Sequence, residues 1–359
     1  MQREFETADV SPALIEQVRA AAARRMPLRI RGGDSKAALG RPVEGETLDL
    51  RAHRGVVHYD PTELVITLRA GTPVAELDAV LEAAGQMLPC EPPAFDGAAT
   101  IGGAVASGLS GPRRPWAGAL RDYVLGCRVI TSEGKYVRFG GEVMKNVAGF
   151  DVSRLMAGSF GCLGVIAEVS LKVLPKPRAQ RSLRIVASAT DALARIVAWR
   201  REGLPVSGAC HVDDALHVRL EGGVSSVESA ARSIGGDELH ASFWTELREQ
   251  RLPFFAGPGS LWRVSVPNAG STGAQPAALP GATMLDWGGA QRWLKSDASA
   301  AEIRRIAQAA GGHATCFTPA AGVEPFHPLA APVLRLHRQL KQQLDPHGIF
   351  NPGRMYADL

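Results

Sequence analysis

ATIGGAVASGLSG (Ala99–Gly111) is the stretch of this sequence that decides the fold. Three further glycine clusters accompany it: RGGDSK (Arg31–Lys36) upstream, and KNVAGFD (Lys145–Asp151) and GSFGCLGVI (Gly158–Ile166) downstream. Glycine lets a backbone approach another group closely and direct several N–H groups at it. Clusters at the edges of β-like segments therefore predict a surface that holds a large, phosphate-bearing ligand.

The first cluster, Arg31–Lys36, follows a predicted strand and has two glycines beside a serine. Such a turn forms a nest of N–H groups that can hold a phosphate, and a plain β-turn is the alternative. The small residues of Ala99–Gly111 indicate that a packed helix or a ligand lies against this second turn. The P-loop ending GK[ST] is missing from both, and so is the G-x-G-x-x-G pattern of a nicotinamide-binding domain.

Composition indicates an ordinary globular protein without a nucleic-acid face. The chain has 359 residues, which predicts about two domains, with 45% hydrophobic and 21% charged residues. The formal net charge of +4 is small and dispersed. A nucleic-acid binder would show concentrated basic residues, so we expect no nucleic-acid partner.

The five cysteines form no C-x-x-C pair, so we expect neither a structural zinc nor an iron–sulfur cluster held by this chain. An odd, scattered set of thiols is typical of a reducing compartment. No signal pattern and no apolar run of about 20 residues is visible. We expect a cytoplasmic protein, held at the inner face of the membrane only through a partner.

The pattern of predicted elements changes at Pro175-Lys176-Pro177, where we place a domain boundary. Residues 1–177 carry the glycine clusters, and residues 178–326 alternate strand and helix candidates in an α+β pattern. Residues 327–359 contain a predicted helix, 328–344, followed by a turn-rich tail. That helix places four apolar residues on one stripe, namely Val333, Leu336, Leu340 and Leu344.

The glycine clusters together resemble the FAD-binding half of flavoproteins of the vanillyl-alcohol oxidase or PCMH type. The resemblance implies a two-part FAD-binding domain, a ferredoxin-like α+β cap domain, and a C-terminal tail that returns to the FAD domain. It implies FAD as the cofactor. The residues that it assigns to FAD binding are Arg31, Gly32, Gly33, Asp34, Ser35, Lys36, Pro89, Thr100, Ile101, Gly102, Gly103, Ser107, Gly108, Lys145, Asn146, Gly149, Asp151, Gly161, Gly164, Ile166 and Asn351.

Further segments narrow the resemblance. YDPTELVITLRAGTPVAEL (Tyr59–Leu77), GQMLPCEPP (Gly85–Pro93), GPRRPW (Gly111–Trp116), RFGGEVMKNVAGFD (Arg138–Asp151) and FNPGRMY (Phe350–Tyr356) are similar to FAD-binding subunits of bacterial glycolate oxidase complexes. The resemblance covers essentially the whole chain. It implies a larger flavoprotein subunit and an iron–sulfur subunit as partners, and oxidation of glycolate to glyoxylate with electrons passed onward.

Two positions depart from related families. Several relatives carry His after the Gly-Gly pair and bond it covalently to the flavin, but this chain has Asp34 there, so we expect noncovalent FAD. Autonomous 2-hydroxy-acid dehydrogenases of this fold hold a metal around a His-x-Gly-Asp-Gly-Asn-x-His segment. HVDDALH (His211–His217) is one residue short and lacks the glycines. We interpret it as a hairpin with Asp213-Asp214 at the turn, and we expect no metal.

No catalytic residue can be assigned from the sequence. Oxidation of a 2-hydroxy acid by flavin needs a base near the hydroxyl and a cation for the carboxylate. Arg263, Arg292 and Lys295 are candidates for that cation, with a solvated charged face as the alternative. We interpret Trp262, Trp287 and Trp293 as core residues.

Two other functions remain open at this point. The chain could be a self-sufficient FAD-dependent dehydrogenase of another small 2-hydroxy acid such as D-lactate, with the base supplied by residues 178–326. It could also be a scaffold that kept the fold and lost the flavin, although the intact glycine clusters argue against this.

Overall fold

The computed structural model of the chain describes residues 7–141, 151–267, 278–319 and 322–359. They form two compact units. The first comprises Met1–Ser110, Ala119–Pro175 and Pro328–Leu359, and the second comprises Gly111–Gly118 and Lys176–His327. Gly111–Gly118, which the sequence-based division places inside residues 1–177, groups with the second unit.

The helices are α1 (Ser11–Arg24), α2 (Val74–Ala83), α3 (Ile101–Ser107), α4 (Arg114–Ala117), α5 (Leu120–Tyr123), α6 (Val152–Met156), α7 (Ala189–Arg201), α8 (Val224–Ile234), α9 (Ser242–Arg248), α10 (Pro253–Ala256), α11 (Ala300–Ala309) and α12 (Ala331–Leu344). The strands are β1 (Leu28–Arg31), β2 (Glu46–Asp49), β3 (Val56–Asp60), β4 (Val65–Arg69), β5 (Gln86–Met87), β6 (Val124–Ile130), β7 (Tyr136–Gly140), β8 (Val165–Lys172), β9 (Leu174–Pro175), β10 (Ala179–Val186), β11 (Val206–Val212), β12 (Ala215–Gly222), β13 (Asp237–Glu238), β14 (Ser260–Ser265), β15 (Ala282–Asp286), β16 (Gln291–Ser296) and β17 (His313–Cys316).

In the first unit, an antiparallel sheet has the strand order β3-β4-β8-β6-β7, as far as the described residues show. β8 lies at its centre and is buried along nearly its whole length; its one buried acid, Glu168, pairs with Arg128 of β6 at 3.1 Å. A parallel pair, β1 with β2, forms separately. Leu14 and Val18 of α1, Leu77 of α2 and Ile101 of α3 join β8 in one apolar core.

The glycine-rich segment Ala99–Gly111 contains a short helix, α3, in place of the expected turn. Thr100 caps α3, because its Oγ1 accepts a hydrogen bond from the Gly103 N–H at 3.3 Å. Gly108, with φ of 65°, ends the helix in the left-handed conformation. Gly102 is required inside the helix, since a Cβ there would lie 2.6 Å from the Ala70 Cβ.

The C-terminal tail returns to the first unit, as predicted, and adds to β1. The Leu28 N–H donates to the Ile349 carbonyl at 2.7 Å, and the Asn351 N–H donates to the Leu28 carbonyl at 3.0 Å. Phe350 between them is fully buried. Lys341 Nζ donates to the Phe350 carbonyl at 2.7 Å and to buried Asp345 at 2.6 Å, so one ammonium group fixes the tail to α12.

The predicted stripe of the last helix is mostly exposed. α12 has no buried residue, and Val333, Leu336 and Leu340 are 40%, 59% and 38% exposed. The four-residue spacing correctly predicts an amphipathic helix, but the described residues of the chain do not cover its apolar side. We call these three residues the α12 stripe.

The second unit consists of two ferredoxin-like repeats that share one antiparallel sheet. The first repeat runs β10-α7-β11-β12-α8-β13 and has the strand order β13-β10-β12-β11. In the described part of the second, β14-β15-β16-α11-β17, the order is β15-β16-β14-β17, which is the same arrangement. The repeats meet where β11 pairs with β15. The predicted ferredoxin-like cap is thus present twice, although no repeat is visible in the sequence.

The register assigns each residue of this sheet to one of two faces. Leu216, His211, Leu285, Arg292 and Val264 are successive cross-strand partners, so they share the face that packs against α7, α8 and α11. The other face carries Trp293, Arg263 and Thr315 as successive partners, and we call it the second face. The three tryptophans predicted as core residues (Trp262, Trp287 and Trp293) are buried.

HVDDALH forms the predicted hairpin between β11 and β12. Asp213 and Asp214 adopt φ of 50° and 54°, as a tight two-residue turn requires. The ring of buried His217 stacks on Phe243 with centroids 4.2 Å apart, and His211 Nε2 lies 2.8 Å from the Ala187 carbonyl. Among the described residues no group of three His, Cys, Asp or Glu could hold a metal. None of the described helices is long and apolar enough to cross a membrane.

Burial lowers the pKa of His217 to about 4. As pH falls below about 6.5, the unfolded chain binds this proton first, so the free energy of unfolding falls between pH 6.5 and 4. The full loss is roughly 3 kcal/mol at pH 4. His217→Phe keeps a ring against Phe243 and should flatten the dependence of stability on pH, measured by urea unfolding at pH 7, 6 and 5. His58→Phe at an exposed position is the control, and an equal slope in both variants would contradict the assignment.

Candidate flavin site

The two glycine segments pack directly against one another. A Cβ at Gly33 would lie 1.4 Å from the Ala98 carbonyl oxygen, and a Cβ at Gly32 would lie 2.3 Å from Thr100 Oγ1. Only glycine permits this approach, so the turn after β1 and the start of α3 form one continuous wall. The close packing that the sequence predicts for these glycines is therefore partly between the two segments themselves.

A cavity of about 370 Å³ opens along this wall, and a smaller one of about 70 Å³ adjoins it through Gly32, Thr100 and Gly103. Both lie within the first unit. The structure brings 13 of the predicted site residues to these cavities, namely Gly32, Gly33, Asp34, Ser35, Lys36, Thr100, Gly102, Gly103, Ser107, Gly161, Gly164, Ile166 and Asn351. Their contact with FAD stays a prediction.

Five predicted residues do not line either cavity. Arg31 lies behind the first turn, where its Nε is 3.4 Å from Asp34 Oδ2. Ile101 and Pro89 are buried, and Gly108 ends α3. Asp151 caps α6 by accepting from the Arg154 N–H at 3.1 Å. The other three predicted residues, Lys145, Asn146 and Gly149, lie outside the described residues.

Cations outnumber carboxylates around the larger cavity. Arg29 and Arg354 line it together with Lys36, and Asp34 is the one carboxylate among its described lining residues. Arg29 Nη2 lies 2.5 Å from Asp34 Oδ2, which neutralises that carboxylate. Three cations and one carboxylate give the described lining a net charge of +2, as a diphosphate requires.

Arg354 is a site residue that sequence reasoning missed, although it lies in the FNPGRMY segment. Its guanidinium donates to the carbonyls of Arg41, Lys36 and Ala37 at 2.6, 3.0 and 3.0 Å. Burial lowers its pKa. Arg354 therefore fixes the backbone at the end of the Arg31–Lys36 turn by hydrogen bonds, although it lies 318 residues after Lys36 in the sequence. Arg29 and Phe160 were also missed: Arg29 precedes the first glycine cluster, and Phe160 lies within the GSFGCLGVI cluster but is not itself a glycine.

Asn351 connects three chain segments that line the cavities, namely its own tail, β1 and the segment around Phe160. Its Oδ1 accepts from the Ile30 N–H at 2.8 Å, and its Nδ2 donates to the Phe160 carbonyl at 2.7 Å. Gly161, with φ of 71°, faces this amide so closely that a Cβ would lie 2.7 Å from Nδ2. The C-terminal tail is thus part of the site itself.

These features fit FAD. Glycine backbone lies along the cavities, and cations exceed acids in the described lining of the larger one. Gly102, Gly164 and Ile166 supply an uncharged lining in the smaller cavity. The described lining of both cavities contains no His, Cys or Tyr that could bond covalently to a flavin.

Comparison with known proteins agrees with this geometry. The sequence profile described as "FAD binding domain" matches residues 8–140. The structure of p-cresol methylhydroxylase with substrate bound superposes with a TM-score of 0.70 at 14% identity, over 98% of this chain and 88% of that one. The fold and site therefore define an FAD-binding flavoprotein of the PCMH type, and the predicted fold class and cofactor are confirmed.

The sequence narrows this class further. The chain is 60% identical over 351 residues to glycolate oxidase subunit GlcE of Escherichia coli strain K12, covering 98% of this chain and 99% of that one. It belongs to the GlcE family of FAD-dependent oxidoreductase subunits. It is also 33% identical over 175 residues to glycolate oxidase subunit GlcD of Bacillus subtilis strain 168, over 48% of this chain and 37% of that protein.

Gly33→Ala tests the contact between the two glycine segments. The new Cβ would meet the Ala98 carbonyl at 1.4 Å, so the segments must separate. We expect a loss of about 1–3 kcal/mol in stability and a large fall in bound FAD, measured as the flavin-to-protein absorbance ratio. Gly223→Ala, where no atom lies within 4 Å of the new Cβ, is the matched control. Normal FAD content in Gly33→Ala would refute this account of the site.

Proposed function

We propose that this chain is the FAD-binding subunit of a multi-subunit glycolate oxidase and takes part in oxidising glycolate to glyoxylate. Its partners would be a larger flavoprotein subunit and an iron–sulfur subunit that receives the electrons. The end-to-end identity of 60% with GlcE carries this proposal, together with the glycine cradle. We place the protein in the cytoplasm, at the membrane only through its partners.

The residues of the first unit have a defined task in this function. FAD, when bound, would supply the two-electron acceptor for glycolate oxidation, taking the two electrons as a hydride while the hydroxyl proton goes to a base. Arg29, Lys36 and the backbone of Gly32 and Gly33 would hold its diphosphate, and Asn351 would fix the wall beside it. Asp34, neutralised by Arg29, would leave the flavin noncovalently bound.

The α12 stripe supports a role as a subunit. Exposed apolar side chains in a group are typical of a protein interface. The sequence of α12 contains Arg335, His337, Arg338 and Lys341 but no Asp or Glu. Arg335 has no ion-pair partner among the described residues. A stripe with cations beside it is complementary to an apolar segment flanked by carboxylates, and we assign that segment to the larger flavoprotein subunit.

An anaerobic visible spectrum tests whether the chain works alone. We expect the FAD-loaded chain to keep an oxidised flavin after addition of glycolate or D-lactate, and to become reduced by glycolate only with its partner subunits present. Bleaching of the flavin by D-lactate in the isolated chain would instead favour a self-sufficient dehydrogenase. Undiminished glycolate oxidation by the partners without this chain would overturn the proposal.

Denaturation in acid tests the mode of flavin binding. We expect all flavin in the supernatant after acid precipitation, because Asp34 stands where relatives carry His. Added FAD should also raise the melting temperature, since cofactor at a hundredfold over its Kd contributes about 2.7 kcal/mol. Flavin that stays with the precipitated protein would show a covalent bond.

Leu336→Glu tests the α12 stripe. A carboxylate in a buried apolar contact is unfavourable, so we expect co-purification with the larger subunit to fall at least tenfold while the FAD content stays normal. Val224→Glu, at an apolar helix position that is 51% exposed in the second unit, is the control. Equal recovery of the partner with both variants would exclude α12 from the interface.

A further inference from the structure

Arg263 lies on the second face of the sheet, opposite the face that packs against α7, α8 and α11. On β14 its neighbours Trp262 and Val264 belong to the core under α11, so its own side chain lies on the opposite side. Its cross-strand partners are Trp293 on β16 and Thr315 on β17. All of these residues belong to the second unit.

One aromatic ring, that of Phe317, lies against the Arg263 guanidinium, and two further rings continue from it. The guanidinium lies over the Phe317 ring at 5.2 Å, and Phe317 meets Trp293 edge to face with centroids 4.9 Å apart. Phe255 of α10 continues this row at 5.5 Å from Trp293. The rings remove much of the water from one side of the guanidinium and leave its edge, which carries the N–H donors, as the group able to bind a ligand.

No described acid forms an ion pair with Arg263; Asp286, which shares this face, accepts hydrogen bonds from Gln291 and from the Trp287 N–H. Among the described residues, none forms an ion pair with Arg263 or accepts a hydrogen bond from it, and residues 268–277 and 320–321 contain no Asp or Glu. Burial, with the positive charge of Arg114 nearby, lowers the pKa of Arg263 to about 10. A desolvated cation next to a second cation is unfavourable unless an anion binds there.

The buried arginines Arg219 and Arg113 of the second unit differ from Arg263, because each has fixed hydrogen-bond acceptors. Arg219, on the same face, donates from Nε to Ser207 Oγ at 3.0 Å and from Nη2 to the Ser207 carbonyl at 3.1 Å. Arg113 forms a bidentate pair with Glu221. Where an arginine has a structural role here, it therefore has fixed acceptors, and Arg263 has none within the described residues.

Gln291 adds a polar acceptor on the same face. Its amide nitrogen donates to Asp286 Oδ2 at 3.0 Å, while its buried Oε1 has no partner among the described residues. Gln291 pairs with Ser265, two residues along β14 from Arg263, so the two side chains are about 7 Å apart along the strand. A cation and an unpaired hydrogen-bond acceptor on neighbouring cross-strand pairs of one face are complementary to a small molecule that carries both an anionic group and a hydroxyl group.

We propose that the second face binds the carboxylate of a small 2-hydroxy acid, with Arg263 as its anchor and Gln291 as acceptor for the hydroxyl hydrogen. The planar guanidinium would donate two parallel hydrogen bonds to the carboxylate. The anion site follows from the residues alone, whereas the choice of a 2-hydroxy acid rests on the proposed function. This chain would then contribute a substrate contact of its own, beyond carrying FAD.

Calorimetric titration of the FAD-loaded chain with sodium glycolate, and separately with sodium phosphate, tests the proposal. We expect saturable binding of glycolate that Arg263→Met weakens about 10- to 100-fold and Arg263→Lys weakens less. Arg305→Gln, which removes an exposed positive charge in the same unit, should bind normally. Absence of glycolate binding, equal binding of phosphate, or normal binding by Arg263→Met would each overturn the proposal.

Thermal unfolding without added anion separates a ligand-binding role from a structural one. Arg263→Met should keep or raise the melting temperature, because it removes a partly buried charge that has no ion-pair partner among the described residues, while Arg219→Met should lower it. A marked drop for Arg263→Met would assign the residue to the fold. Should glycolate fail to bind while the complete complex still needs this chain to oxidise glycolate, this inference fails and the proposed function stands.

Discussion

The hydrogen-bonded contact between the C-terminal tail and β1 is the constraint on which the flavin site depends. Phe350 is buried beside Leu28, and Asn351 and Arg354 follow it into the cavity wall. Lys341 and Asp345 hold this turn in place, and Asp345 also accepts from the Ile349 and Phe350 N–H groups. Losing one member of such a buried pair typically costs about 3–5 kcal/mol, because the other is left unpaired. One ion pair at the end of α12 thus maintains the position of residues far away in sequence.

Most of the residues predicted from the glycine patterns line the two cavities, because the constraint on a glycine is local. Gly32, Gly33 and Gly103 lie so close to neighbouring atoms that a side chain would not fit without a shift. A need for glycine can therefore be inferred from the local sequence, without knowledge of the rest of the fold. Arg29 and Arg354 were not predictable in this way. Their role depends on which distant segment lies beside them, and an arginine in a sequence is most often a solvated surface residue.

The second unit shows where pattern reasoning reaches its limit. Alternating strand and helix candidates predicted an α+β domain, and the family resemblance implied a ferredoxin-like cap. The presence of two repeats was not predictable, because they share a strand order and no visible sequence pattern, and the second has no described helix between β14 and β15. The α12 stripe has the same limitation. A four-residue period indicates an amphipathic helix, yet the period is identical whether the chain's own core or another protein covers the apolar side.

The return of the tail also has a consequence for how the protein is made. The first unit is built from three separate stretches of chain, and residues 328–359 leave the ribosome after the other two. Contacts between residues more than 300 positions apart form late, because a large loop must close first. Residues 176–327 belong to the other unit and are synthesised before that closure. The cavity wall that contains Asn351 and Arg354 is therefore completed only after the ribosome has passed Arg354.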